Sequence, residues 1–291
     1  MGEDKKTMSG KTGWAAVAAV LIGVVAAVTI QIAKRQGAGK ARFDGAFAAS
    51  VPTNGVLLLT FDDPNVPNWV NAIPLFAKYD ARASFFPCGE LDDASLRGLA
   101  QLKAAGHTVG IHTLHHRNAR DIDGATYLKE EVQPQLDAYA SIRHVVRAMA
   151  YPNNRHTPEM DDYLMAHTAI RHFRTGHVVR YDPQAKYEKP DLVATDEVFF
   201  SVKDLPRRRV LPGIGIGEAY RTDIKEILAC IRRAARRNEV LVTFSHDIAP
   251  NAPSIHMKTE WLEKILATAR EEGLQILGFD DLPDPTLDGR P

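Results

Sequence analysis

The stretch Val56-Leu57-Leu58-Leu59-Thr60-Phe61-Asp62-Asp63 is an apolar run closed by two adjacent carboxylates. Four apolar residues followed by Thr and Phe describe a strand buried on both faces, and Pro64, Asn65, Pro67 and Asn68 stop it. Successive strand residues point to opposite faces, so Asp62 and Asp63 cannot present their carboxylates alike. Two roles are open at one strand end, a metal ligand and a proton acceptor beside it. Asp-Asp-Pro is also ordinary turn chemistry, in which both aspartates are merely solvated.

A second stretch shifts that balance. Lys103-Ala104-Ala105-Gly106-His107-Thr108-Val109 reads as a helix end, a glycine stop and a short strand, and Gly110-Ile111-His112-Thr113-Leu114-His115-His116 follows it. His112 and His116 thus also sit just past a strand, at a spacing that one bend or one helical turn folds onto a common point. Two imidazoles and a carboxylate form a borderline-soft donor set, suited to zinc and tolerated by other first-row divalent ions. His115 is the outward-facing extra.

With these stretches, Ala150-Tyr151-Pro152 and Leu241-Val242-Thr243-Phe244-Ser245-His246-Asp247 complete an ordered set. The chain from about Val51 onward resembles the polysaccharide deacetylases of carbohydrate esterase family 4, which carry the NodB homology domain. The resemblance implies a distorted (β/α) barrel. It implies Asp63, His112 and His116 as ligands of one divalent metal ion, zinc by preference, with Asp62 as base and His246 as acid. The implied reaction is hydrolysis of an N-acetyl group on an N-acetylhexosamine-containing polysaccharide by an activated water. A backbone N–H near Tyr151 would assist the oxyanion. Two alternatives stand beside this reading: a small-molecule amidase on the same scaffold, and a catalytically impaired envelope glycan-binding protein.

The sequence departs from the family pattern in two places. Family members commonly carry an arginine two residues before the proline corresponding to Pro152, orienting the base, whereas this chain has Ala150. Arg147, Arg155 and Arg174 are the candidates to replace it. The family's later tryptophan also has no clear counterpart; Tyr220 is the nearest aromatic, and Asp223 the candidate carboxylate partner of His246.

The 291 residues are 45% hydrophobic and 25% charged, enough for one sizeable core. Residues 1–43 hold seven Lys/Arg and two acidic residues; of the 36 of each in the chain, 29 and 34 remain for residues 44–291. That acidic balance excludes a nucleic-acid footprint. Trp14 to Ala33 is nearly unbroken apolar sequence, and its 20 residues would span about 30 Å as a helix. Lys34 and Arg35 follow at once, which favours an uncleaved membrane anchor over a cleaved signal peptide. The expected organisation is therefore a short tail (1–13), a transmembrane segment (14–33), a tether (34–50) and a catalytic domain (51–291). The expected location is membrane-anchored with the domain outside the cytoplasm, or secreted if the segment is cleaved.

Between the motifs, strands alternate with helices, the pattern of a parallel barrel or a doubly wound sheet. Helices are expected over Trp69–Phe76, Asp92–Ala105, Asp121–Ala140, Thr157–Ala166, Ile224–Ala234 and Trp261–Glu272, and a strand over His144–Tyr151. Gly213-Ile214-Gly215-Ile216-Gly217 lacks the spacing and the Gly-Lys-Ser/Thr ending of phosphate loops, so no nucleotide is expected. Cys88 and Cys230 read as two buried thiols.

Overall fold

The computed structural model describes residues 51–177, 191–251 and 255–286. The chain divides between Ala46 and Phe47, and every described residue falls in the second part. Eight strands lead the architecture: β1 (Val56–Asp62), β2 (Ser84–Phe86), β3 (Thr108–Val109), β4 (Ala148–Ala150), β5 (His172–Gly176), β6 (Phe199–Ser201), β7 (Val210–Gly215) and β8 (Glu239–Ser245). Seven of them run parallel in the order β3-β2-β1-β8-β7-β5-β4. Ile111, two residues beyond β3, bridges Met149 of β4 in parallel and closes the ring. The closure is short, which is why the barrel is distorted. β6 lies antiparallel on β8. A small ribbon of β9 (Ile248–Ala249) and β10 (Met257–Lys258) follows β8, and β11 (Gln275–Leu277) flanks the first half of β1.

Period-two alternation sorts β1 into two cores. Leu57, Leu59 and Phe61 join the outer core against the helices, whereas Val56 and Leu58 join an inner cluster with Ala148, Ala150, Val240, Val242 and Phe279. The same parity carries Thr60 and Asp62 along the inner row. Parallel pairing then gathers the C-terminal strand ends at one rim, the face on which such barrels place their chemistry.

The helices between strands follow the expected order with local corrections. Pro74 splits the first into Val66–Asn71 and Ile73–Lys78, each with a proline in its first turn. Asp93–Ala104 is capped by Asp92, whose side chain accepts the Ser95 N–H. The third expected helix runs as Gly124–Tyr127, a π turn over Leu128–Val132, and Gln133–Ser141. The strand expected over His144–Tyr151 is only Ala148–Ala150, and Gly213 to Gly215 belong to β7 rather than to a loop. Cys230 is buried and Cys88 only partly so, and neither is in a disulfide.

Among the described residues no helix is long and apolar enough to cross a membrane, and the 14–33 segment lies outside them. The expected transmembrane helix is therefore not supported by the described residues. The expected membrane partner and membrane-anchored location, which rest on that segment, are likewise without support among the described residues.

Three histidines away from the rim are built into the core. His107 packs edge-on to Phe76 and Phe85 and accepts the Ala83 N–H at Nδ1, His144 donates to the Val109 carbonyl, and His172 meets Phe279. Burial pushes each imidazole down to about 4. Because these folded-state values lie below the unfolded value of 6.5, the stability they contribute is complete above about pH 6.5 and is lost as pH falls toward 4. Each accounts for on the order of 1–3 kcal/mol over that window. The urea midpoint of the metal-free protein is expected to drop steadily between those two pH values, and a flat profile would contradict this assignment.

Candidate metal centre

β1 ends by placing Asp62 inside the barrel mouth and Asp63 at its lip, consistent with their opposite parity. Asp62 is 2% exposed. Arg174, from the inner row of β5 and 1% exposed, donates to its Oδ2, and a second arm of the same guanidinium donates to Asn154 Oδ1 at 2.5 Å. Burial alone would raise the Asp62 pKa. Arg174 above all, with His112 and His246, more than offsets it and holds the carboxyl below its ordinary range. The other oxygen, Oδ1, is buried and has no hydrogen-bond partner. Asp62 is thus an ionised carboxylate with one oxygen pinned and one free to accept a proton.

Arg174 answers the question raised by Ala150. In the β4–β5 register Ala150 pairs directly with Arg174. The small side chain at 150 and the guanidinium at 174 therefore occupy neighbouring places at the rim. Arg147 instead pairs with Asp284, and Arg155 stands exposed on the wall of the pocket.

The metal ligands read from the sequence come together. One donor atom each from Asp63, His112 and His116 lie within 4.8 Å of one another. His112 Nδ1 donates to the Ala150 carbonyl at 2.8 Å, which fixes the tautomer and leaves Nε2 with its lone pair. Burial pushes this imidazole down to about 4, so it stays neutral as a ligand must. The two Nε2 atoms face each other at 3.2 Å. Two nitrogens on one tetrahedral zinc stand about 3.3 Å apart, from Zn–N bonds of about 2.05 Å, so the pair fits a divalent ion. Positive φ at Asp63 (77°), Thr113 (71°) and His116 (56°) concentrates backbone strain at this cluster.

His246 follows β8. Its Nε2 lies 3.6 Å from Asp63 Oδ2, and its Nδ1 donates to the Ile255 carbonyl at 3.1 Å. The Trp69 indole N–H donates to the His246 carbonyl at 2.9 Å, and Asn68 holds both oxygens of Asp247, so the first helix fixes the end of β8. Asp223 is not the partner of His246: it caps the helix Ile224–Arg237 through the Lys225 N–H. Tyr220 stacks over the His246 ring at 6.3 Å and meets Phe244 edge-on. A Cβ on Gly215 would stand 2.5 Å from the Tyr220 ring, which is why glycine is needed there.

Tyr151 lines the same pocket, but its hydroxyl donates to Asp161 and its ring lies between His156 and Phe173. Its backbone N–H is spent on the Arg174 carbonyl. The pocket above these groups has a volume of about 730 Å³, with Asn118, Asn153 and Asn154 adding polar walls. Trp69, Asn154 and Ile255 are contributors that sequence reasoning did not single out. Of these, only Trp69 carried a signal, an aromatic beside a polar strand end.

Residues 50–169 match the polysaccharide deacetylase family. No curated protein matches the chain. Among solved structures, a chitin deacetylase from the fungal pathogen Colletotrichum lindemuthianum is similar at 16% identity, over 81% of this chain and 90% of that one, with a TM-score of 0.53. A family 4 pseudoenzyme from Bacillus anthracis gives 14% identity over 79% and 66%, with a TM-score of 0.51, and a T48 deacetylase solved with substrate gives 15% over 80% and 93%, also at 0.51. At such identities these likenesses speak to the fold. Residues 50–169 of the chain carry the polysaccharide deacetylase family pattern, and the wider fold is the one these solved structures share. Its rim carries a divalent-metal site and the arrangement of a metal-dependent hydrolase of the deacetylase type.

Proposed function

We propose that the protein is a metal-dependent amide hydrolase on the family 4 scaffold, removing the acetyl group from a compact N-acetylated amine such as a single N-acetylhexosamine unit. The observation that carries the reaction is the division of labour between the two aspartates. Asp63 stands with the two histidines, while Asp62 is pinned by Arg174 on one oxygen and open on the other. A divalent ion held by Asp63, His112 and His116, zinc by preference, would supply stabilisation for a developing oxyanion and make an attacking water more acidic. Asp62 Oδ1 takes the water proton. His246, held at Nδ1 by the Ile255 carbonyl, delivers a proton from Nε2 to the departing nitrogen. The Tyr220 and Phe244 rings offer an apolar flank for the acyl group, and the asparagine side chains offer partners for hydroxyls.

A pocket volume of about 730 Å³ falls in the range of small-molecule sites, which favours a compact acetamide over a long polymer. An N-acetylhexosamine polysaccharide is the second reading, favoured by the family match. Acetate release from N-acetylglucosamine, its oligomers, peptidoglycan and simple acetamides tests the proposal. Turnover greatest on the monosaccharide or simple amides supports it, and turnover only on the polymers replaces it with the second reading. Glycan binding without acetate release from any substrate would instead favour the impaired binding protein, for which Ala150 is the sequence argument.

A further inference from the structure

We infer that Glu131 is the positioning residue of the metal site: it clamps the 112–116 loop from a π turn and holds His116 in its ligating position before any ion arrives. The Glu131 side chain is fully buried, unusual for a carboxylate far from the reacting groups. Its Oε2 accepts the His115 N–H at 2.9 Å, its Oε1 meets His115 Nδ1 at 3.1 Å, and its backbone carbonyl accepts the Leu114 N–H at 2.9 Å. The Arg117 guanidinium comes within 3.7 Å of Oε1. One residue thus holds the two consecutive amides on either side of Leu114, just before His116.

The π turn follows from the sequence. Pro134 has no N–H to donate back along the helix, and its ring crowds the carbonyl four residues earlier. The helix widens over Leu128–Val132, and the Glu131 carbonyl turns to Leu114 as partner. The loop needs such a restraint. Thr113 and His116 both hold positive φ, at a cost of about 1–3 kcal/mol each, and Thr113 is β-branched. Without an opposing contact the loop would relax and separate the two imidazoles. The exposed His115 acquires a purpose as well: it is the handle through which the loop is held.

This inference rests on the metal-centre reading of Asp63, His112 and His116. It is tested by competition of the full chain against a chromophoric zinc chelator. Glu131→Leu removes the acceptors at similar volume and is expected to weaken zinc affinity by about 10- to 100-fold, the range for groups behind metal ligands. The kcat at saturating zinc should stay within a few-fold of wild type. Glu131→Gln keeps an oxygen for the His115 N–H and can donate to Nδ1, so it should restore most of the affinity. Glu130→Gln, at an exposed carboxylate paired with Arg117, should change nothing. Wild-type affinity in a folded Glu131→Leu protein overturns the clamp alone. A wild-type chain that takes up no zinc defeats the metal-centre reading itself, and the clamp with it. If Glu131→Leu does not fold, amide exchange in the metal-free wild type decides. Slow exchange at His115 supports the clamp, and fast exchange that becomes slow only on adding zinc overturns it.

Discussion

Replacing His112 with alanine is expected to remove bound metal and hydrolysis together, whereas Asp62→Asn should keep the metal and lose about 10²- to 10⁴-fold in turnover, the usual range for a general base. The two residues sit close, with His112 Nε2 3.9 Å from Asp62 Oδ2, so proximity alone does not distinguish them. Their surroundings do. The His112 lone pair at Nε2 faces His116 and has no proton of its own, because Nδ1–H is committed to the Ala150 carbonyl. Asp62 instead spends Oδ2 on Arg174 and keeps Oδ1 unpaired. Asparagine preserves the shape of Asp62 and cannot accept the proton. Metal content measured beside acetate release separates the two roles, and an Asp62→Asn protein with full turnover would end the assignment of the base.

Arg174→Ala is expected to cost about 3–5 kcal/mol of stability in the metal-free protein, besides lowering turnover. The reason is desolvation: removing one partner of a buried ion pair leaves the other charge buried and unpaired. Among the described residues no other arginine or lysine pairs with Asp62, since Arg147 is held by Asp284 and Arg155 stands exposed on the pocket wall. Lysine should restore the protein only in part, because one guanidinium serves Asp62 and Asn154 at once and also lies 4.8 Å over the Phe244 ring. Urea unfolding of the variants checks this. A loss below about 1 kcal/mol would mean that Asp62 does not depend on Arg174.

The comparison of Arg174 with His112 shows what the sequence could and could not disclose. The metal trio was legible because each member sits at or just past a strand end, and parallel strands in a barrel bring such ends to one rim whatever their order. The base-orienting cation was not, because spacing along the chain does not say which strands are neighbours. Only the pairing of Ala150 with Arg174 selects among three arginines. Asp223 was misread for a related reason. An aspartate before Ile224-Lys225-Glu226 is a helix cap by local chemistry, and that demand outweighs a distant histidine. Tyr151 lines the pocket, but whether its hydroxyl faces the pocket or Asp161 depends on packing against His156 and Phe173. Glu131 was hidden inside an ordinary helical pattern, with Pro134 the available clue.

The most direct test is anomalous scattering from crystals of the protein loaded with zinc. One ion per chain is expected, with Asp63, His112 and His116 as its protein ligands, and with Asp62 and His246 outside its coordination shell. An ion held by Asp62 or His246 in place of one of the three, or a protein that takes up no ion at this rim, would contradict it.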